Sequence, residues 1–200
     1  MKPIIVTGLD IETTGFKPED GHRITEVGAI TYKVNPETLE FTKVLTYSKL
    51  VNPGRSIPEE VQRLTNITPT TVKDAPGWDL VSVEVGKILK VTDIMIAHNA
   101  AFDAPFLAYE LLRLGQPVNQ DMEVFCTMQA GRFATPLGKP PRLVELCWAL
   151  GVPFVAEDAH RAIYDVDRMM EAVSVGIAKG YFDFKPVLEK ITQQRLAKAA

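Results

Sequence analysis

Ile4-Ile5-Val6-Thr7-Gly8-Leu9-Asp10-Ile11-Glu12-Thr13-Thr14-Gly15 decides the fold of this chain. The aliphatic run Ile4 to Val6, followed by Leu9 and Ile11, predicts a buried strand over 4–12. Side chains two apart on a strand share a face, so Asp10 and Glu12 project together from its end. Neighbouring carboxylates repel, and each raises the cost of ionising the other. A divalent cation removes that cost, and hard oxygen ligands suit Mg2+ or Mn2+ better than zinc. Alone, an Asp-x-Glu pair also fits two surface acids flanking a strand. The apolar strand ahead of it weakens that alternative.

Working outward, Thr14-Gly15 begins a turn and Lys17 to Gly21 is loop chemistry. Ile24 to Lys33 and Leu39 to Val51 predict two more strands, so the sheet opens as an antiparallel meander. Asn52-Pro53-Gly54 breaks the pattern. Pro58 suits the first turn of a short helix through Leu64. Helices are predicted over Trp78 to Val91, Ala101 to Leu114 with Gly115 as its stop, Arg142 to Leu150, and Ala162 to Ala178. Short buried strands are predicted at Ile94 to Ala97 and Met122 to Cys126. Strands first, then alternating strands and helices, define an α/β domain with a mixed sheet. Gly180 to Pro186 is the one candidate linker. Beyond it, Val187, Leu188, Ile191 and Leu196 share one face of a terminal helix carrying a net charge of +2 on Glu189, Lys190, Arg195 and Lys198. That helix either docks on its own domain or serves as a tail for a partner or nucleic acid.

At 200 residues the chain is long enough to bury a core without staples. A net charge of −3 supplies no global basic field, which counts against tight non-specific duplex binding. It leaves room for a protein that meets phosphates largely through metal ions. Cys126 and Cys147 form no metal-binding pattern and read as reduced thiols. The N-terminus turns polar too early for a secretory signal, and no run approaches the roughly 20 apolar residues of a membrane span. A cytoplasmic protein without a membrane partner is the expectation.

Two further segments carry chemistry. In His98-Asn99-Ala100-Ala101-Phe102-Asp103, a strand ends and a helix begins. Asp103 falls in the first turn, where the helix dipole favours an acid even without a catalytic role. Asn99 is a candidate N-cap, and Phe102, Phe106 and Leu107 read as packing residues. In His160-Arg161-Ala162-Ile163-Tyr164-Asp165, the histidine precedes a helix whose apolar stripe is Ala162, Ile163, Val166, Met169, Met170, Val173 and Ile177. Asp165 and Asp167 border that stripe on opposite sides, and periodicity does not choose between them.

With these segments in this order, the chain resembles the DnaQ-like 3′–5′ exonucleases of the DEDDh group, within the ribonuclease H-like superfamily. The resemblance spans roughly residues 3 to 178. It rests on D-I-E-T-T-G, H-N-A-A-F-D-A-P-F-L and H-R-A-I-Y-D, with N-P-G-R-S-I-P and L-T-N-I-T between them. It implies a three-layer fold with a mixed five-stranded sheet flanked by helices. It implies an exonuclease domain over 1–180, with 181–200 as a C-terminal helical extension. It further implies two Mg2+ or Mn2+ ions held by Asp10, Glu12, Asp103 and Asp165, and His160 as general base. The H-x-x-x-x-D spacing of the family selects Asp165 over Asp167. Ile11, Thr13, Thr14, Thr65, Asn99, Phe102 and Arg161 are the candidate substrate contacts.

Some positions depart from the commonest family pattern. Thr65-Asn66 stands where many relatives have His-Gly; asparagine tolerates left-handed backbone better than most residues. Phe125-Cys126-Thr127-Met128 leans toward the exonuclease X branch. The activity implied is release of nucleoside 5′-monophosphates from single-stranded or frayed DNA 3′ ends. The alternatives are a ribonuclease T-like exoribonuclease, and a non-catalytic module that binds nucleic acid or a polymerase. A polymerase partner for the enzyme stays open. Arg132, Lys139, Arg142 and Arg161 are the basic residues placed to meet phosphates of either nucleic acid.

Overall fold

The structure is a computed structural model that describes residues 2–199. Met1 and Ala200, the outer ends of the two segments expected from the sequence, lie outside the described residues. Three strands open the chain: β1 (Ile4–Thr13), β2 (Ile24–Val34) and β3 (Phe41–Leu50). Helices α1 (Glu59–Thr65), α2 (Pro69–Val72) and α3 (Trp78–Val91) follow. Then come β4 (Ile94–Ala97), α4 (Ala100–Arg113), β5 (Glu123–Cys126) and the single turn α5 (Thr127–Ala130). The chain continues through α6 (Leu143–Leu150) and α7 (Ala162–Ala178) to α8 (Lys185–Ala199).

The strands form one sheet in the order β3-β2-β1-β4-β5. The first three pair antiparallel, while β4 joins β1 and β5 joins β4 in parallel. This is the mixed five-stranded sheet expected, flanked by helices on both faces. Alternation along the strands sorts the core in two. Ile4, Val6, Ile30, Ile94 and Ile96 pack with Leu146, Val166, Met169 and Val173, on the face of α6 and α7. Leu9, Ile11, Val27, Ala29 and Met95 pack with Val81, Val85, Phe106 and Leu107, on the face of α3 and α4.

Two glycines let α7 lie against the sheet. A Cβ on Gly8 would meet the Met170 side chain at 2.6 Å. One on Gly28 would meet the Ala162 carbonyl carbon at 2.5 Å. Gly28 pairs directly with Asp10 across β1 and β2, so the first turn of α7 sits beside the acidic end of β1. At the other end of α4, Gly115 adopts φ +69° as the predicted stop. Asn66 takes φ +57° as it ends α1, as its tolerance of left-handed backbone allows.

The linker expected over 180–186 is instead anchored to the core by two of its residues. Phe182 and Phe184 are buried and pack edge-on against Phe125, and Pro186 lies within α8. Glycine and proline marked a break in helix, but aromatic burial ties the segment down. On α8, Leu188 and Ile191 are buried, Val187 is partly buried against the same cluster, and Leu196 is 67% exposed, so it does not share the docked face. Two cations of α8 are engaged at home. Lys190 pairs with Glu123 at 2.7 Å, and Arg195 pairs with Asp93 at 2.6 Å. Leu188→Ala is expected to cost about 2–4 kcal/mol, lowering Tm by roughly 4–16 °C. Leu196→Ala should change stability by less than about 0.5 kcal/mol. Equal thermal shifts for the two variants would contradict this docking.

Cys126 and Cys147 are both free thiols, and burial pushes Cys147 up to about 12. No helix among the described residues is long and apolar enough to cross a membrane.

Candidate active site

The three chemically loaded segments meet at the carboxyl ends of β1 and β4. A cavity of about 520 Å3 opens there, walled by Asp10, Glu12, Asp103, His160 and Asp165 together. Asp10 and Glu12 come from the last turn of alternation in β1, on the α7 side of the sheet. Asp103 comes from the first turn of α4 and is 2% exposed. Asp165 comes from the first turn of α7, and His160 from the loop just ahead of it.

The structure separates the two acids that periodicity left equal. Asp165 lines the cavity, and one of its oxygens accepts the His160 backbone N–H at 3.0 Å. Asp167 faces away and is taken up by Lys43 at 3.3 Å and Arg168 at 2.5 Å. The other oxygen of Asp165 is buried with no hydrogen-bond partner among the described residues. Ligand atoms of Glu12, His160 and Asp165 lie within 4.8 Å of one another. An orphaned carboxylate oxygen, convergent hard ligands and unrelieved repulsion fit a divalent cation.

The repulsion shows in the protonation of the site. Burial, then the charges of Asp103, Glu12, Asp165 and Glu26, raise Asp10 well above the usual carboxylate range. Burial followed by Asp165, Glu26 and Asp103 pushes Glu12 up to about 9. Burial takes Asp103 to about 8, against the backbone N–H groups of Ile11 and of Asp103 itself. Asp165 rises to about 6, chiefly by burial. Burial lowers His160, so its ring is neutral at pH 7–8.

These shifts give the metal-free protein a signed pH dependence. Acids raised in the folded state bind more protons there than in the unfolded chain, so stability falls as pH rises between the two values. With Glu12 near 9 and Asp165 near 6, the decline should run from about pH 4 to pH 9. Melting in EDTA should therefore drop steadily over that range. Mn2+ at about 100 times its dissociation constant should add about 2.7 kcal/mol, or roughly 5–10 °C. The gain should be larger at pH 8 than at pH 6, because the ligands must lose protons to bind. A melting temperature flat with pH in EDTA and indifferent to Mn2+ would contradict the carboxylate cluster.

The candidate substrate contacts divide. Ile11, Thr13, Thr65, Asn99 and Phe102 all line the cavity. Thr13 donates to the Gly15 carbonyl at 2.6 Å. The Thr65 hydroxyl donates to the Val61 carbonyl and accepts the Ile67 N–H, so it offers mostly its methyl. Asn99 occupies the cap position of α4 at φ +75° but its side chain makes no cap bond; left-handed backbone at the strand-to-helix turn turns it elsewhere. Phe102 lines the cavity and also packs on Phe106, ring centroids 5.6 Å apart.

Thr14 and Arg161 differ from expectation. Thr14 is fully buried; its hydroxyl bonds His22 Nδ1 at 3.1 Å and accepts the Arg23 N–H at 3.0 Å. It braces the loop behind the cavity rather than facing it. Arg161 turns away from the cavity toward Glu26. Among the other basic candidates, Arg142 lines the cavity, while Arg132 is bound to Gln129 and the Gly138 carbonyl.

Sequence reasoning missed two parts of the site. The first is an apolar rim: Leu64, Met128, Pro140, Pro141 and Leu143, with Phe16 standing 86% exposed beside them. Phe16 follows the acidic motif directly, and an aromatic residue beside a turn glycine was the available signal. The second is Glu26, 1% exposed and directly opposite Glu12 in the β1–β2 pairing. A lone acid in the otherwise apolar stretch of β2 was its signal. His98, which the sequence singled out without a role, bridges Thr127 Oγ1 at 2.9 Å and the Pro141 carbonyl at 3.0 Å, and so ties the rim to β4.

A mixed α/β sheet with four carboxylates and a neutral histidine around one groove defines a nuclease with a site suited to divalent cations. The exonuclease family model matches residues 7–173. The chain belongs to this family, as a DnaQ-like 3′–5′ exonuclease of the ribonuclease H-like superfamily. It is 32% identical over 176 residues to the DNA polymerase III epsilon subunit of Treponema pallidum, covering 88% of this chain and 77% of the subunit. It is 31% identical over 159 residues to the 3′–5′ exonuclease DinG of Bacillus subtilis, covering 80% of this chain but 16% of DinG. A PolC-type DNA polymerase III of Clostridium perfringens is likewise matched over 12% of its length. The chain therefore spans a small part of these last two relatives. In fold it is similar to exonuclease I, with a TM-score of 0.75 at 17% identity over 96% of this chain and 44% of that one. It is similar also to exonuclease X solved with 5′-overhanging duplex DNA, at a TM-score of 0.61 and 23% identity, covering 94% and 99%.

Proposed function

We propose that this chain hydrolyses DNA from 3′ ends, single-stranded or frayed, and releases nucleoside 5′-monophosphates. The observation that carries this reading is the meeting of Asp10, Glu12, Asp103, His160 and Asp165 in one cavity with an apolar rim. Asp10, Glu12, Asp103 and Asp165 would hold a pair of Mg2+ or Mn2+ ions. Such a pair, when bound, stabilises the charge on the attacking and leaving oxygens of the phosphoryl group.

The chain's own residues do the rest. His160, neutral because burial lowers its pKa, accepts the proton of the attacking water at a ring nitrogen. Its backbone N–H, bonded to Asp165, ties down the main chain from which that ring projects. Phe16, Leu64 and Phe102 offer apolar surface to the terminal base and sugar, while the backbone from Ile11 to Thr13 lines the sugar side. Arg142 at the rim meets a phosphate of the incoming strand. The likeness to DNA polymerase III epsilon subunits extends this reading to a polymerase partner.

The test is a time course on 5′-labelled single-stranded DNA, 3′-mismatched duplex and single-stranded RNA of one sequence, with Mg2+ or with EDTA. A metal-dependent ladder shortening from the DNA 3′ end is expected. A ladder on RNA alone would move the substrate to RNA with the chemistry retained. No ladder on any of the three would overturn the reading.

A further inference from the structure

We infer that Glu26 is a positioning residue: it holds the start of α7, and with it His160, at the level of the catalytic carboxylates. The inference rests on the functional reading above and adds to the site a residue that does not line its cavity.

A carboxylate this deeply buried costs several kcal/mol unless it is paired and hydrogen-bonded. Glu26 is paired on both oxygens. It accepts from Arg161 Nη2 at 3.2 Å and Nε at 3.4 Å, and from the Ala162 backbone N–H at 3.2 Å. Arg161 is the cap residue of α7, and its own side chain makes no cap bond. The first free N–H of the helix is thus satisfied by a strand 136 residues away. A negative charge there also complements the helix dipole.

Register converts this clamp into placement. Glu26 stands opposite Glu12 in the β1–β2 ladder. Whatever Glu26 grips is therefore set level with Glu12. His160 is the residue just before Arg161, and it adopts φ +61°, a left-handed backbone that a non-glycine residue keeps only where its surroundings hold it. One backbone bond, to Asp165, holds it from its own side of the helix. Glu26 holds the next two residues from the sheet. The clamp leaves neither oxygen of Glu26 free to serve as a further cation ligand, and Arg161 is drawn toward the sheet rather than the incoming strand.

The test uses the full chain with the substitutions Glu26→Gln, Arg161→Ala and both together. Glutamine keeps the volume and one acceptor but presents its amide to the guanidinium. Kinetics on single-stranded DNA with Mg2+ should show kcat reduced about 10- to 100-fold in Glu26→Gln, with KM within about twofold, since a displacement near 1 Å costs on that scale. Arg161→Ala should reduce kcat less, and the double variant should add little to Glu26→Gln. Amide exchange of residues 160–162 should accelerate in Glu26→Gln at temperatures where the rest of the sheet stays protected. Wild-type kcat and unchanged exchange in Glu26→Gln would overturn the inference. So would Arg161→Ala raising KM at constant kcat, because the guanidinium would then be gripping nucleic acid. If the wild-type chain cuts nothing, the functional reading falls, and the exchange measurement alone decides whether Glu26 holds this segment.

Discussion

Asp10→Asn should melt higher than the wild type in EDTA at pH 8 while turning over at least about a thousandfold more slowly. Both halves follow from one position. Asp10 sits where burial and four neighbouring carboxylates oppose its ionisation. Asparagine keeps the shape and removes the charge, relieving the cluster by about 1.5 kcal/mol and raising Tm by roughly 3–6 °C. The same charge is what a cation pair would be built around, and it supplies several kcal/mol to the transition state. The variant should also lose most of the Mn2+-induced thermal shift. A variant that melts lower in EDTA, or retains a tenth of the activity, would remove Asp10 from the centre of the site. A stabilising change that abolishes function is the usual sign of residues kept for chemistry.

His160→Ala should lose about a hundred- to ten-thousandfold in kcat, the range for removing a positioned base. Its Mn2+-induced thermal shift should stay close to that of the wild type. The two readouts matter together, because His160 lies near enough to Glu12 and Asp165 to be a ligand itself. A base contributes to the rate and little to metal affinity; a ligand contributes to both. Loss of the thermal shift along with activity would recast His160 as a ligand. Activity within a few-fold of wild type would discard it as the base.

Most of the candidate site was legible because its members are tied to a local period or boundary. Asp10 and Glu12 follow from alternation in a strand, and Asp103 from the first turn of a helix. Asp165 was legible only through family spacing, since helical periodicity gave Asp167 an equal claim. The difference between them is tertiary: Lys43, on β3, reaches Asp167 and not Asp165. The family resemblance made Thr14 a candidate substrate contact, yet the Arg23 N–H claims its hydroxyl across the turn. The stretch from Gly180 to Pro186 carried the composition of a linker, and only the packing of Phe182 and Phe184 shows otherwise. Glu26 was missed for the same kind of reason. Its partners are Arg161 and Ala162, and no local pattern in β2 points to them.

The dependence of β1 on α7 has a consequence for the newborn chain. Domains take shape as the polypeptide emerges from its N-terminus. Everything through Gly151 supplies Asp10, Glu12 and Asp103, but His160, Asp165 and the residues that fill the space above Gly8 and Gly28 come later. Until those segments have left the ribosome, the acids face one another without His160 and without the helix that closes their side of the sheet. A nascent chain that stops short of α7 therefore carries three of the five converging residues and lacks the helix that packs over Gly8 and Gly28.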